Sequence, residues 1–99
     1  MPTYVFLSKW TDQGARNPKE LLAWSDRNRA AAQERGARGN VIGLWWTQGA
    51  YDAVSVVEFP DDETASAAAI SLGMSGYVRT ETMRAYTRDE MERIVQKVT

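Results

Sequence analysis

Apolar residues form two runs along Val41 to Phe59, VIGLWWTQGAYDAVSVVEF, with a break at Gln48-Gly49-Ala50. A run rich in Val, Ile and Trp, a short Gly-containing break and a second run rich in Val and Tyr predict a β-hairpin. With its loop at Gln48 to Ala50, the expected pairs on one face are Trp46 with Asp52, Leu44 with Val54 and Ile42 with Val56. Thr47 with Tyr51, Trp45 with Ala53, Gly43 with Ser55 and Val41 with Val57 then share the other face, because side chains alternate along a strand. The first face is mostly large and aliphatic, as a helix-covered face should be. The second sets large aromatics beside Gly, Ala and Ser, and room beside aromatics is how a cleft begins.

The remaining segments are placed around that hairpin. Tyr4 to Trp10 reads as a first strand, with Val5 and Leu7 on one side and Tyr4, Phe6, Ser8 and Trp10 on the other. Both sides are apolar, which suits a central position. Thr11 to Arg16 has the composition of a turn. Asn17-Pro18-Lys19-Glu20 starts a helix, with Asn17 as cap, Pro18 at the first helical position and Glu20 able to reach back. That helix carries Leu21, Trp24, Ser25, Asn28, Ala31, Ala32 and Arg35 along one stripe, stops at Gly36, and Gly39 turns the chain into the hairpin.

Pro60-Asp61-Asp62-Glu63 opens a second helix, its acidic first turn matched to the positive end of the helix dipole. Ala65, Ala68, Ala69 and Leu72 form its inner stripe and Gly73 is its expected end. Tyr77 to Tyr86 reads as a fourth strand whose Arg79, Glu81 and Arg84 mark it as an edge. Thr87-Arg88-Asp89-Glu90 is a capping box, followed by a helical stripe of Met91, Ile94, Val95 and Val98.

The order β-α-β-β-α-β plus a helix, with right-handed crossovers, predicts an α+β, ferredoxin-like βαββαβ sandwich with a C-terminal helix. Two helices then cover one sheet face and leave the other bare, and that bare face is expected to hold Phe6, Trp45, Val57 and Tyr51. A bare apolar sheet of that size is unusual on a monomer, so the sequence implies a homodimer with a cavity between sheet and helices or between subunits.

Composition narrows the chemistry. The chain has 99 residues, 43% hydrophobic and 25% charged, and is expected to form one domain over 1–99. A net charge of −1, from 12 basic and 13 acidic residues, supplies no field drawing it to nucleic acid or an anionic membrane. There is no Cys, hence no disulfide, thiolate metal site or thiol nucleophile; there is no His, hence none of the usual neutral-pH base or commonest metal ligand. Neither a membrane span nor a secretory leader is visible, and a cytoplasmic, bacterial-type protein without a cofactor is expected. The Val-rich second hairpin strand lacks the paired aromatics of RNA-binding domains of this topology, and paired metal-carrier cysteines are missing.

Separated blocks then carry a resemblance. Pro2-Thr3-Tyr4-Val5, Trp10-Thr11-Asp12-Gln13-Gly14, Trp46-Thr47, Gly49-Ala50-Tyr51-Asp52, Pro60-Asp61-Asp62-Glu63 and Val78-Arg79-Thr80-Glu81-Thr82 resemble the GYD-domain family, named for the Gly-x-Tyr-Asp tetrad. The resemblance spans nearly the whole chain and implies a dimeric α/β barrel of ferredoxin-like fold. It transfers no general activity.

Several side chains qualify as site candidates. Tyr51 and Asp52 are a phenol and a carboxylate beside Gly49, readable as an acid–base pair or as parts that fasten the turn. As neighbours they point to opposite faces in extended backbone. Arg79 and Glu81 share a face with Met83 and suit either an anionic ligand or a charged edge, whereas Arg84 lies opposite with Thr80, Thr82 and Tyr86. Four tryptophans, Trp10, Trp24, Trp45 and Trp46, suit core and interface filling. Of these Trp45 is the best placed to face a ligand. Pro2, if exposed by Met removal, offers a secondary amine, but the element order fits tautomerases poorly.

The leading expectation is a homo-oligomer holding a small hydrophobic or aromatic molecule in a cleft lined by Phe6, Trp45, Tyr51, Arg79 and Glu81. One alternative is a cofactor-independent oxygenase, isomerase or cyclase acting on an aromatic or polyketide-like substrate, with Tyr51, Asp52, Arg79 and Glu81 as candidate catalytic groups. The other is a purely structural dimerising partner.

Overall fold

A computed structural model describes residues 1–34 and 39–99 of the chain. The elements run β1 (Thr3–Trp10), α1 (Asp12–Arg16), α2 (Pro18–Glu34), β2 (Asn40–Trp46), β3 (Ala53–Glu58), α3 (Asp62–Met74), β4 (Val78–Ala85) and α4 (Arg88–Gln96). The sheet order is β2-β3-β1-β4 with every pairing antiparallel. This is the ferredoxin-like arrangement predicted from the element order, with β1 central and β4 at an edge.

The helix starts follow their caps. Asn17 Oδ1 accepts the Glu20 amide at 3.2 Å, Asp61 Oδ1 accepts that of Thr64 at 2.8 Å, and Thr87 with Glu90 forms a reciprocal capping box. The Glu20 carboxylate pairs with Arg27 at 2.8 Å instead of reaching back to its cap. Thr11 to Arg16, predicted as a turn, holds the short helix α1. Thr11 Oγ1 accepts the Gly14 amide at 3.2 Å while its hydroxyl donates to the Gly76 carbonyl. Gly14 is needed there, because a Cβ would collide with the Tyr77 carbonyl oxygen. The predicted stripe position Arg35 and helix stop Gly36 lie outside the described residues. Helix α3 runs through Gly73 to Met74, and the turn is made instead at Gly76 with φ +81°.

The core lies between α3 and the sheet. Tyr4, Phe6, Val57, Phe59 and Ala65 are buried together, with Ala68, Ala69 and Leu72 packed against them as expected of the inner stripe. Phe59 stacks on Phe6 at 6.0 Å between ring centroids and meets Tyr4 edge-on at 5.9 Å. Alanines along α3 let its backbone approach these rings closely. The start of α2 is seated through buried Leu21 and through Trp24, whose ring lies 5.2 Å from that of Tyr77.

The hairpin register differs from the expected one. Trp46 pairs with Ala53, Trp45 with Val54, Leu44 with Ser55 and Gly43 with Val56, and a bulge between Val41 and Gly43 restores Val41 opposite Val57. The loop is longer than Gln48 to Ala50. Thr47 N–H bonds the Asp52 carbonyl at 2.8 Å, and the Asp52 N–H leaves β2 to bond the Ser8 carbonyl at 2.8 Å. A one-residue shift exchanges faces on one strand. Val54 and Val56 therefore lie on the bare face, not under the helices. Phe6 and Val57, expected on the bare face, are on the covered one, opposite Ser55 and Tyr4 respectively.

Candidate functional site

The face without helices is built from alternate residues of all four strands. One row across it runs Trp45, Val54, Leu7 and Glu81; the next runs Gly43, Val56, Val5 and Met83. Lys9 and Arg79 flank these rows at one end, and Glu58 and Asn40 at the other. The result is an apolar band across the sheet with charged margins. Asn40 Nδ2 donates to Glu58 Oε1 at 3.0 Å, fixing the acidic margin.

Trp45 is 55% exposed, and its indole folds back across Gly43, where a Cβ would collide with the ring. The room expected beside the aromatics is thus filled by Trp45 itself. Tyr51 arrives from the hairpin loop, and its hydroxyl donates to Glu81 Oε2 at 2.8 Å. That hydrogen bond to a carboxylate, with partial burial, pushes the Tyr51 phenol above its ordinary value and keeps it protonated. The Lys9 ammonium lies over the Tyr51 ring, 5.3 Å from its centroid. Tyr51, Glu81 and Lys9 therefore form one cluster spanning the loop, β4 and β1.

Asp52 goes the other way, as neighbours in extended backbone do. Its carboxylate accepts the Trp10 N–H at 2.8 Å, closing the end of β1. In the Gly49-Ala50-Tyr51-Asp52 tetrad each named part has a structural duty: Gly49 takes φ +129°, Tyr51 ties the loop to β4, and Asp52 ties it to β1. Phe6 is 3% exposed in the core and shares no face with Trp45, Tyr51, Arg79 or Glu81. Arg84 lies on the covered side, between the rings of Tyr4 (5.7 Å) and Tyr86 (4.6 Å), and pairs with Glu90 at 3.1 Å. The Thr87 backbone N–H and then Arg84 hold the Glu90 carboxyl below its usual range.

Two surface hollows border α4. One is lined by Tyr86, Glu90, Arg93, Ile94 and Lys97, the other by Arg88, Met91, Glu92, Val95 and Gln96. Neither includes a residue that the sequence marks as ligand-binding. Lys9 is not among the sequence candidates, although its alternation with Val5 and Leu7 places it on their face. Nor is Tyr4: its hydroxyl donates to Asp62 Oδ1 at 2.5 Å, and that bond leads the causes that push its phenol up to about 12. No local signal marks that contact, which joins positions far apart in the chain.

A ferredoxin-like α+β domain with one uncovered apolar sheet face is the class these observations define. Residues 4–95 match the model of the GYD domain, and the chain belongs to the GYD-domain family. It is 35% identical over 89 residues to the glutamine synthetase and cystathionine beta-lyase binding protein of Thermus thermophilus, a match covering 86% of this chain and 88% of that one. No solved structure matches the chain. Among the described residues no helix is long and apolar enough to cross a membrane.

Proposed function

We propose that this protein is a non-catalytic binding module, which pairs with a second copy of itself through the open sheet face and, as a dimer, docks on other proteins. The docking half rests on the Thermus relative, which aligns over most of both chains and is named for binding glutamine synthetase and cystathionine beta-lyase. Those two enzymes are the partners to test first. The pairing half rests on the open face, whose apolar band and charged margins have the makeup of a protein interface. Packed on a second sheet, the pair would form a dimeric α/β barrel. A cytoplasmic location fits a protein that meets metabolic enzymes.

Binding is favoured over catalysis by the duties of the candidate groups. Tyr51 is held protonated by Glu81, and Asp52 is spent on the Trp10 amide. A small aromatic ligand beside Trp45 has less support, since the Trp45 ring occupies the space over Gly43 and the Tyr51–Glu81 hydrogen bond is exposed. The docking reading is tested by flowing glutamine synthetase and cystathionine beta-lyase from the same source over the immobilised protein. Saturable binding of either at micromolar concentration or below is expected. Absence of binding by both enzymes would remove the docking half and leave the self-association half to be judged by sedimentation.

A further inference from the structure

The two ends of the open sheet face carry opposite charge. At the end nearer the hairpin loop, Lys9 and Arg79 stand side by side on β1 and β4. At the far end Glu58 stands between Asn40 and Thr3. The two apolar rows lie between these ends. Thr3 and Lys9 are roughly 20 Å apart along β1, at about 3.3 Å of rise per residue, too far for Glu58 to reach Lys9 within one chain. Among the described residues none of Lys9, Arg79 and Glu58 joins an ion pair. Lys9 lies over the Tyr51 ring and Glu58 is held by the neutral Asn40 amide, contacts that orient both groups without matching their charge. The Glu81 carboxylate, one row in from Lys9, is taken by the Tyr51 hydroxyl.

A two-fold contact must match one surface to itself. For aligned sheets, whose strands lie within about 30° of each other, the axis runs either along the strands or across them. An axis along the strands brings each end onto the same end, so that Lys9 approaches Lys9 and Glu58 approaches Glu58. An axis across the strands lays each end on the opposite one. Lys9 of one copy then comes against Glu58 of the other, one strand to the side and across a gap of about 10 Å that the two side chains together span. Like charges brought together are costly, and opposite charges fix the orientation of a contact more than they strengthen it.

We infer that the two copies meet head to tail, strands reversed, with Lys9 of each against Glu58 of the other and Arg79 alongside. This rests on the pairing proposed above and adds the residues that orient it. The apolar rows supply the area; the charged ends choose between the two axes.

The test is sedimentation equilibrium on the unaltered protein, Lys9→Glu, Glu58→Lys, the two variants mixed one to one, and the double variant. Expected are a dimer for the unaltered chain and a dimer weaker by about tenfold or more for each single reversal. The mixture and the double variant, in which opposite charges meet again, should recover to within about threefold of the unaltered protein. A second measurement needs no variant. Carbodiimide coupling of a mixture of isotope-labelled and unlabelled chains should join Lys9 of one chain to Glu58 of another. A dimer indifferent to both reversals, or weakened by them without recovery in the mixture, overturns the head-to-tail arrangement while the pairing stands. So does a Lys9 that couples only within its own chain. A chain that is monomeric at every concentration, or a Val56→Glu variant as firmly dimeric as the unaltered protein, overturns both the open-face pairing and this inference.

Discussion

The two faces of the sheet are made from the same strands, yet they have opposite fates. Along β1, Tyr4, Phe6 and Ser8 are buried, whereas Val5 and Leu7 between them are only half-buried. The covered face gains from α3 a layer of alanines and Leu72 that seals Phe6 and Phe59. The open face has Val54, Val56, Val5, Leu7 and Met83, none of which belongs to the buried cluster under α3. The difference teaches that hydrophobic content alone does not tell a buried face from an open one. What decides is which face receives the helix layer, and α3 packs on the side of Phe6.

The sharpest test of that contrast substitutes adjacent residues. Phe6→Ala should cost about 3–5 kcal/mol by urea unfolding, since it removes a ring from a sealed core. Asp52→Ala should cost about 1–3 kcal/mol, because the end of β1 loses the acceptor for its Trp10 amide. Leu7→Ala should cost about 1 kcal/mol in the separated chain and show its larger effect as weaker self-association. Equal costs for Phe6→Ala and Leu7→Ala in a monomeric sample would mean that the faces are not as different as described. Tyr51→Phe, on the open face, should stay within about 0.5 kcal/mol of the unaltered protein in the same unfolding experiment.

An effect selective for alkaline pH belongs to Tyr4. Its phenol is raised from 10.0 to about 12 in the folded chain, first by the hydrogen bond it donates to Asp62 and then by burial. The unfolded phenol ionises at the lower value, so the stability tied to this bond is complete below pH 10 and is lost as pH rises toward 12. A Tyr4→Phe variant should therefore lose less stability than the unaltered protein between those pH values. Parallel pH–stability curves for the two would show that the covered face gains nothing from this phenol staying neutral.

Much of the fold was legible because its signals are local. Alternation along β1 separated Val5 and Leu7 from Tyr4 and Phe6, and the caps at Asn17, Asp61 and Thr87 marked helix starts. The site was legible in part. Trp45, Tyr51, Arg79 and Glu81 share one side of the sheet, but Phe6 and Asp52 face elsewhere. The discrepancy traces to the hairpin. Its loop length depends on Asp52 bonding to Ser8 and Trp10, residues more than forty positions away, and no local pattern carries that. A register displaced by one turns Val57 to the bare side and Val54 and Val56 to the covered one.

By itself the sequence determined the element types, their order and the two-sided character of each strand, because backbone periodicity and capping act over a few neighbouring residues. Only the tertiary structure decided which side of the hairpin met the helices, that the ring of Trp45 would fill its own neighbouring gap, and that Tyr51 would reach Glu81. Those outcomes depend on contacts between segments distant in the chain, where one residue of loop length reverses which side chains face the core.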